Sequence, residues 1–116
     1  PAAIFIFDLN NLKTVNDQLG HFIGDELIKN TASLLKKCVR NNDIVARLGG
    51  DEFAILSIEN TKEGAELLLD RIQEVFKNAN ISVAIGFAIR NPSYSLLEAV
   101  QEADEKMFEN KRQFKN

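Results

Sequence analysis

The chain has one cysteine, Cys38, among 116 residues, so no disulfide can form within it. That usage suits a reducing compartment. Cys38 falls on the apolar face of a predicted helix, which makes it a core residue and not a nucleophile. Long apolar runs are also missing. None approaches the about 20 residues that cross a bilayer as a helix. No charged region precedes the first apolar segment, as a secretory leader requires. The chain is therefore expected to be cytoplasmic and to hold no membrane segment. Basic residues are in deficit, 14 against 17 acidic, for a net charge of −3. A general nucleic-acid binder shows the opposite balance, although a local anion site remains open. With only two prolines and six glycines, the sequence shows no Pro/Gly/Ser linker, repeat or low-complexity tract.

What remains is one small domain spanning 1–116. A chain of this size buries about 65% of its unfolded surface, enough for a core without staples. Hydrophobic residues at 45% exclude a disordered chain. Residues 3–8 read as a buried strand, since Ile4-Phe5-Ile6-Phe7 is continuously apolar. A polar segment after it begins a short helix. Residues 25–39 form an amphipathic helix with Leu27, Ile28, Thr31, Leu34, Leu35 and Cys38 on one face. Residues 44–48 and 52–58 make a hairpin, in which glycines would supply positive φ. Thr61 caps a helix running to about Asn78. Residues 81–89 alternate large side chains with Ser82, Ala84, Gly86 and Ala88, giving a strand with one small face. Close helix packing is the expected use of that face. The last helix opens with a capping box of Ser95 and Glu98. Leu97, Val100, Ala103 and Met107 are expected on its inner stripe. Apart from the split first helix and the last one, the order is βαββαβ, a ferredoxin-like α+β fold with an antiparallel sheet.

Two acidic signals stand out in this frame. Asp51-Glu52 follows Gly49-Gly50 at the hairpin mouth, where the glycines leave room for an anion or metal to approach. Alone, Gly-Gly-Asp in a hairpin is often only a turn. Asp8 ends the first strand, and the ferredoxin-like order brings that strand beside the hairpin. Asp8 and Asp51 together suit Mg²⁺, a hard cation held by one or two carboxylates plus phosphates and water. A plainer role for Asp8 is a helix cap.

Phe7-Asp8-Leu9-Asn10-Asn11-Leu12-Lys13-Thr14-Val15-Asn16-Asp17, then Gly20-His21 and Gly24-Asp25, resembles the first block of the GGDEF-domain diguanylate cyclases. Gly49 to Phe53 resembles the block that names them. Asp104-Glu105, then Lys111, resembles their C-terminal helix. The three blocks keep the family's order across nearly the whole chain, a far more specific match than any one of them. The resemblance implies the nucleotide-cyclase or polymerase-palm type of this fold. It also implies condensation of two GTP into cyclic di-GMP with release of pyrophosphate, by a homodimer that uses Mg²⁺ or Mn²⁺. An alternative is a catalytically silent domain that binds GTP or cyclic di-GMP and regulates an attached domain. The family's additional helix ahead of the first strand is not among these residues, and the chain reads as part of a longer signalling protein.

The same resemblance implies roles residue by residue. Asp8, Asp51 and the carbonyl of Leu9 would hold metal. Asp51 and Glu52 would be catalytic, with Glu52 alternatively a solvated hairpin residue. Asn16 and Asp25 would read the guanine edge, with a donor and an acceptor respectively. Asp25 has a plainer role as a residue favoured at a helix N-terminus. His21 would be structural. Asn11, Leu12, Lys13, Lys111 and Lys115 would contact the triphosphate, Lys115 standing where the family usually has Arg. Arg40 and Asp43, ending five residues before Gly49, match the pattern of the family's inhibitory product site. Arg71 would contribute to that site.

Overall fold

A computed structural model describes residues 1–113. Its elements are β1 (Ala2–Leu9), α1 (Leu12–Leu19), α2 (His21–Cys38), β2 (Ile44–Arg47), β3 (Glu52–Ile58), α3 (Lys62–Asn78), β4 (Val83–Arg90) and α4 (Leu96–Arg112). The sheet order is β2-β3-β1-β4. Every pairing is antiparallel, which is the ferredoxin-like arrangement expected from the order of elements. β1 is continuously apolar because it lies between β3 and β4 with both faces covered; Ala3 to Leu9 are all buried.

Two cores lie on opposite faces of the sheet. The larger gathers Phe5, Phe7, Phe53 and Ile55 from the sheet with Leu35 of α2 and Ile72 and Phe76 of α3. The smaller joins Ile4, Ile6, Ala84 and Ala88 to Ala99, Ala103 and Met107 of α4. The small face of β4 exists for that second contact. A Cβ on Gly86 would strike the backbone of Ala103 and Met107. Asn110 of α4 then pins the helix, its Oδ1 accepting from Ile85 N at 2.9 Å.

Some local expectations are corrected. α2 begins at His21, four residues before Asp25, because Gly20 (φ +91°) breaks the chain just after α1 and a new helix starts at once. The glycines and the exposed Phe22 and Ile23 hid that first turn from a pattern of buried residues. β4 starts at Val83, since Ile81 N still bonds to Phe76 O and closes α3 through the left-handed Asn80. On α4, Leu97 is 66% exposed, and Ala99 takes the inner position in its place. Ala99, Ala103 and Met107 are spaced by four residues and so share one helical stripe. Thr61 and Ser95 do cap their helices, accepting from Gly64 N and Glu98 N.

Candidate active site

The site is assembled where β1 ends beside the start of β3. Asp8 is the cross-strand partner of Glu52, and Leu9 N donates to Asp51 O at 2.9 Å. The turn between β2 and β3 is closed by Leu48 N donating to Glu52 O at 2.8 Å. Gly49, Gly50 and Asp51 protrude between those two residues. Neither glycine has positive φ, because a turn of this length reverses the chain without left-handed residues. A Cβ on either would meet nothing within 4 Å. The glycines thus leave open space beside the carboxylates, and turn conformation is not their use.

Arg47, which sequence reasoning passed over, holds this turn. Its Nε donates to Gly49 O at 2.8 Å and its Nη2 to Gly50 O at 2.9 Å. A planar guanidinium suits two adjacent carbonyls, and a single ammonium does not. The available signal was an Arg two residues before a Gly-Gly turn whose carbonyls need donors.

Asp8 is buried, with 8% of its surface exposed. It caps no helix: α1 starts after Asn11, which makes no side-chain cap. Burial raises the Asp8 pKa above the ordinary carboxylate value, and the nearby Asp51 carboxylate pushes it the same way. Lys111 opposes both. Its Nζ lies 2.5 Å from Asp8 Oδ1 and 3.4 Å from Leu9 O. Lys111 is therefore no solvated helix end; it enters the site from α4. Burial also raises the Glu52 pKa, and Asp104, Asp8 and Asp51 add to it. Asp104, half-buried on α4, is a further member of the acidic group that was not expected there. Among the described residues, no three His, Cys, Asp or Glu side chains form a metal cage. The donor set is a pair of carboxylates plus a main-chain carbonyl. Such a set fits Mg²⁺, which keeps water and substrate oxygens among its ligands.

The other expected residues lie on α1 and α2. Asn11 precedes α1 and Leu12 starts it; Leu12 is buried and Lys13 exposed. Asn16 packs against Gly24, where any Cβ would collide with its Oδ1. Gly24 therefore seats the Asn16 amide one residue from Asp25. Asp25 is the fifth residue of α2, beyond its first turn, so the helix terminus does not explain it. It is exposed, and no side-chain bond holds it among the described residues. His21 is the exposed first residue of α2. Lys115 lies outside the described residues.

Arg40, Asp43 and Arg71 sit elsewhere, around a surface cavity of about 250 Å³ on the α3 side. Arg40 is already engaged. It bonds Asp43 Oδ1 at 3.4 Å, Ser57 Oγ at 3.3 Å and Ile58 O at 2.5 Å. Asp43 also accepts from Ile58 N. Arg71 donates to Cys38 O at 2.8 Å.

Comparison with known proteins adds the following. The family model described as diguanylate cyclase, GGDEF domain, matches residues 1–116. The probable diguanylate cyclase DgcT of Escherichia coli (strain K12) is 35% identical over 100 residues, covering 86% of this chain and 20% of that protein. Diguanylate cyclase DosC of the same strain is 35% identical over 128 residues, covering 100% of this chain and 27% of its own. The chain thus spans less than a third of either relative. Among solved structures, the GGDEF domain of DgcB from Caulobacter crescentus in complex with c-di-GMP superposes with a TM-score of 0.87. It is 25% identical, and the match covers 97% of this chain and 72% of that one.

Proposed function

We propose an activity from one premise: the chain belongs to the diguanylate cyclase GGDEF domain family. The activity is condensation of two GTP into cyclic di-GMP and two pyrophosphates. In each of two steps a ribose 3′-oxygen forms a bond to an α-phosphorus. The bond from that phosphorus to the pyrophosphate oxygen breaks, and the hydroxyl proton leaves. The observation that carries this proposal is that Asp8, at the end of β1, lies beside the turn kept open by Gly49 and Gly50, where Leu9 N donates to Asp51 O at 2.9 Å.

Asp8, Asp51 and the Leu9 carbonyl are the residues that would hold Mg²⁺ or Mn²⁺. Such an ion, when bound, acidifies the attacking hydroxyl and neutralises the leaving pyrophosphate. Asp51 and Glu52 are the carboxylates beside the attacking hydroxyl, and burial with its acidic neighbours raises the Glu52 pKa, which favours taking up a proton there. The main-chain amides of Asn11 and Leu12 at the start of α1, with Lys13, suit the triphosphate. Lys111 adds a cation from α4. Asn16 donates to the guanine edge and Asp25 accepts from its N1–H and amino group. Adenine presents the wrong pattern and would strand those groups. One domain holds one GTP and the product joins two, so two domains must meet hairpin to hairpin. Cyclic di-GMP is further proposed to bind over the cavity shared by Arg40 and Arg71, where guanidinium groups grip phosphate or a guanine edge.

Incubation with GTP and Mg²⁺, with products resolved by chromatography, tests the proposal. Cyclic di-GMP should appear from GTP, no corresponding product should appear from ATP, and Asp51→Asn should abolish formation. A domain that binds GTP tightly but yields no product would instead be the silent, regulatory kind.

A further inference from the structure

The ammonium of Lys111 does not wait in solvent for a phosphate. It lies between Asp8 Oδ1 and Leu9 O, two of the three oxygens assigned to metal above. Its side chain is only 22% exposed, and that of Asp8 only 12%. The lysine reaches this point from α4, 103 positions along the chain. α4 is held in register by Met107 in the core and by Asn110 bonded to β4. The placement therefore follows from the fold and not from a loose side chain.

We propose that Lys111 is a tethered stand-in for the metal, which holds Asp8 and Leu9 in the nucleotide-free domain and releases them when triphosphate draws its ammonium away. This rests on the metal-site assignment made above. The physical need is plain. Asp8 is buried, and a carboxylate taken out of water needs a cation or hydrogen bonds beside it. Removing one partner of such a buried pair leaves an uncompensated charge. A divalent ion on Asp8 would lie about 2.1 Å from its oxygen. It would then lie within a few Å of an ammonium of like charge on the same carboxylate, and that repulsion disfavours Lys111 at this place. A triphosphate offers Lys111 a new partner of greater charge, and the vacated oxygens become free for the ion.

Two consequences follow. A divalent ion alone binds weakly, because it must evict Lys111 into solvent. Ion and nucleotide then assist each other by one common factor, since coupling between two binding sites is reciprocal. Coupling of ordinary strength is about 5- to 150-fold. The device would keep the domain from loading metal without substrate.

The test is titration with Mn²⁺ alone, followed by calorimetry and by loss of the free-ion spin-resonance signal, with no turnover required. Lys111→Met should bind Mn²⁺ alone at least about fivefold more tightly than the parent, the lower end of that coupling range. Lys111→Arg, which keeps the charge, should stay near the parent. Lys111→Gln serves as a second neutral variant should the first fold poorly, as judged by its melting temperature. In the parent, a non-reactive GTP analogue should raise Mn²⁺ affinity by more than it does in the neutral variants. If the neutral variants bind Mn²⁺ alone no more tightly than the parent, the stand-in role is wrong while the metal site survives. If Asp8→Asn leaves binding of Mn²⁺ in the presence of the analogue unchanged, the metal-site assignment itself fails, and the stand-in role falls with it.

Discussion

Arg47 is exposed, yet its guanidinium bridges two consecutive carbonyls in the turn that carries Asp51. An exposed clamp contributes little to global stability. Its value lies in fixing where a reacting group points, and a displacement of about 1 Å can cost about 100-fold in rate. Arg47→Met is therefore expected to lower kcat by up to about 100-fold with little change in KM for GTP and little change in melting temperature. Arg47→Lys should recover only part of the rate, because one ammonium cannot serve both carbonyls in the plane. Steady-state kinetics on the two variants checks this, and a loss confined to KM would exclude a positioning role. Arg40 makes a contrasting case. The structure engages it with Asp43, Ser57 and Ile58, so a bound product must share or replace those bonds. Arg40→Ala is expected to weaken cyclic di-GMP binding by about 1–3 kcal/mol, the usual worth of a bidentate Arg contact to a base. Calorimetry with the product gives the answer; an unchanged affinity would leave Arg40 as a tie between the α2–β2 connection and β3.

Among the elements, α4 completes the site that β1 and the hairpin begin. It brings Lys111 to Asp8 and Asp104 toward Glu52. Its seat is the small face of β4, where Ala84 and Ala88 are buried and Gly86 meets helix backbone directly. Backbone cannot move aside as a long side chain can. Gly86→Val is therefore expected to cost about 1–3 kcal/mol by overpacking. It should also lift α4 and Lys111 with it, so that nucleotide binding weakens together with the fall in melting temperature. Gly86→Ala should show the same effects in smaller measure. Unchanged stability in both variants would mean that the helix does not pack as closely as described. α1 and α2 form the other working pair. Their junction at Gly20 and the missing Cβ at Gly24 let Asn16 lie against α2 near Asp25.

At the scale of the whole molecule, the proposed chemistry is incomplete in one copy. The open turn of Gly49 and Gly50 faces free space, which suits the approach of a second domain with its own GTP. Specific activity should therefore rise with protein concentration and level off once dimers dominate. Fusion to a dimerising partner should shift that rise to lower concentration. Assays over a wide dilution series measure this directly; specific activity that stays constant throughout would argue against a two-domain reaction. The cavity at Arg40 and Arg71, proposed above to take cyclic di-GMP, is lined by residues of α3 and of the connections around β2 and β3. It makes a second surface, apart from Asp8.

Periodicity and motif spacing were enough to give the element order, the antiparallel sheet and the neighbourhood of Asp8 and the hairpin. Those features depend on local pattern: an apolar run for β1, alternation for β4, Ser and Thr before helices. The small face of β4 was likewise visible as Ala84, Gly86 and Ala88, because a strand displays its two faces in alternate letters. Tertiary structure alone decided three things. It placed the ammonium of Lys111 on Asp8 and Leu9, a contact across 103 positions that no local pattern encodes. It seated Asn16 of α1 against Gly24 of α2, near Asp25, a contact set by how the two helices pack. It exposed Leu97 and buried Ala99, because the axis of α4 is set by the groove that Gly86 opens and not by the apolarity of its own residues. Secondary structure follows from short-range preference. The site depends on which side chains distant segments present to each other, and that is determined only when the two faces of the sheet are packed.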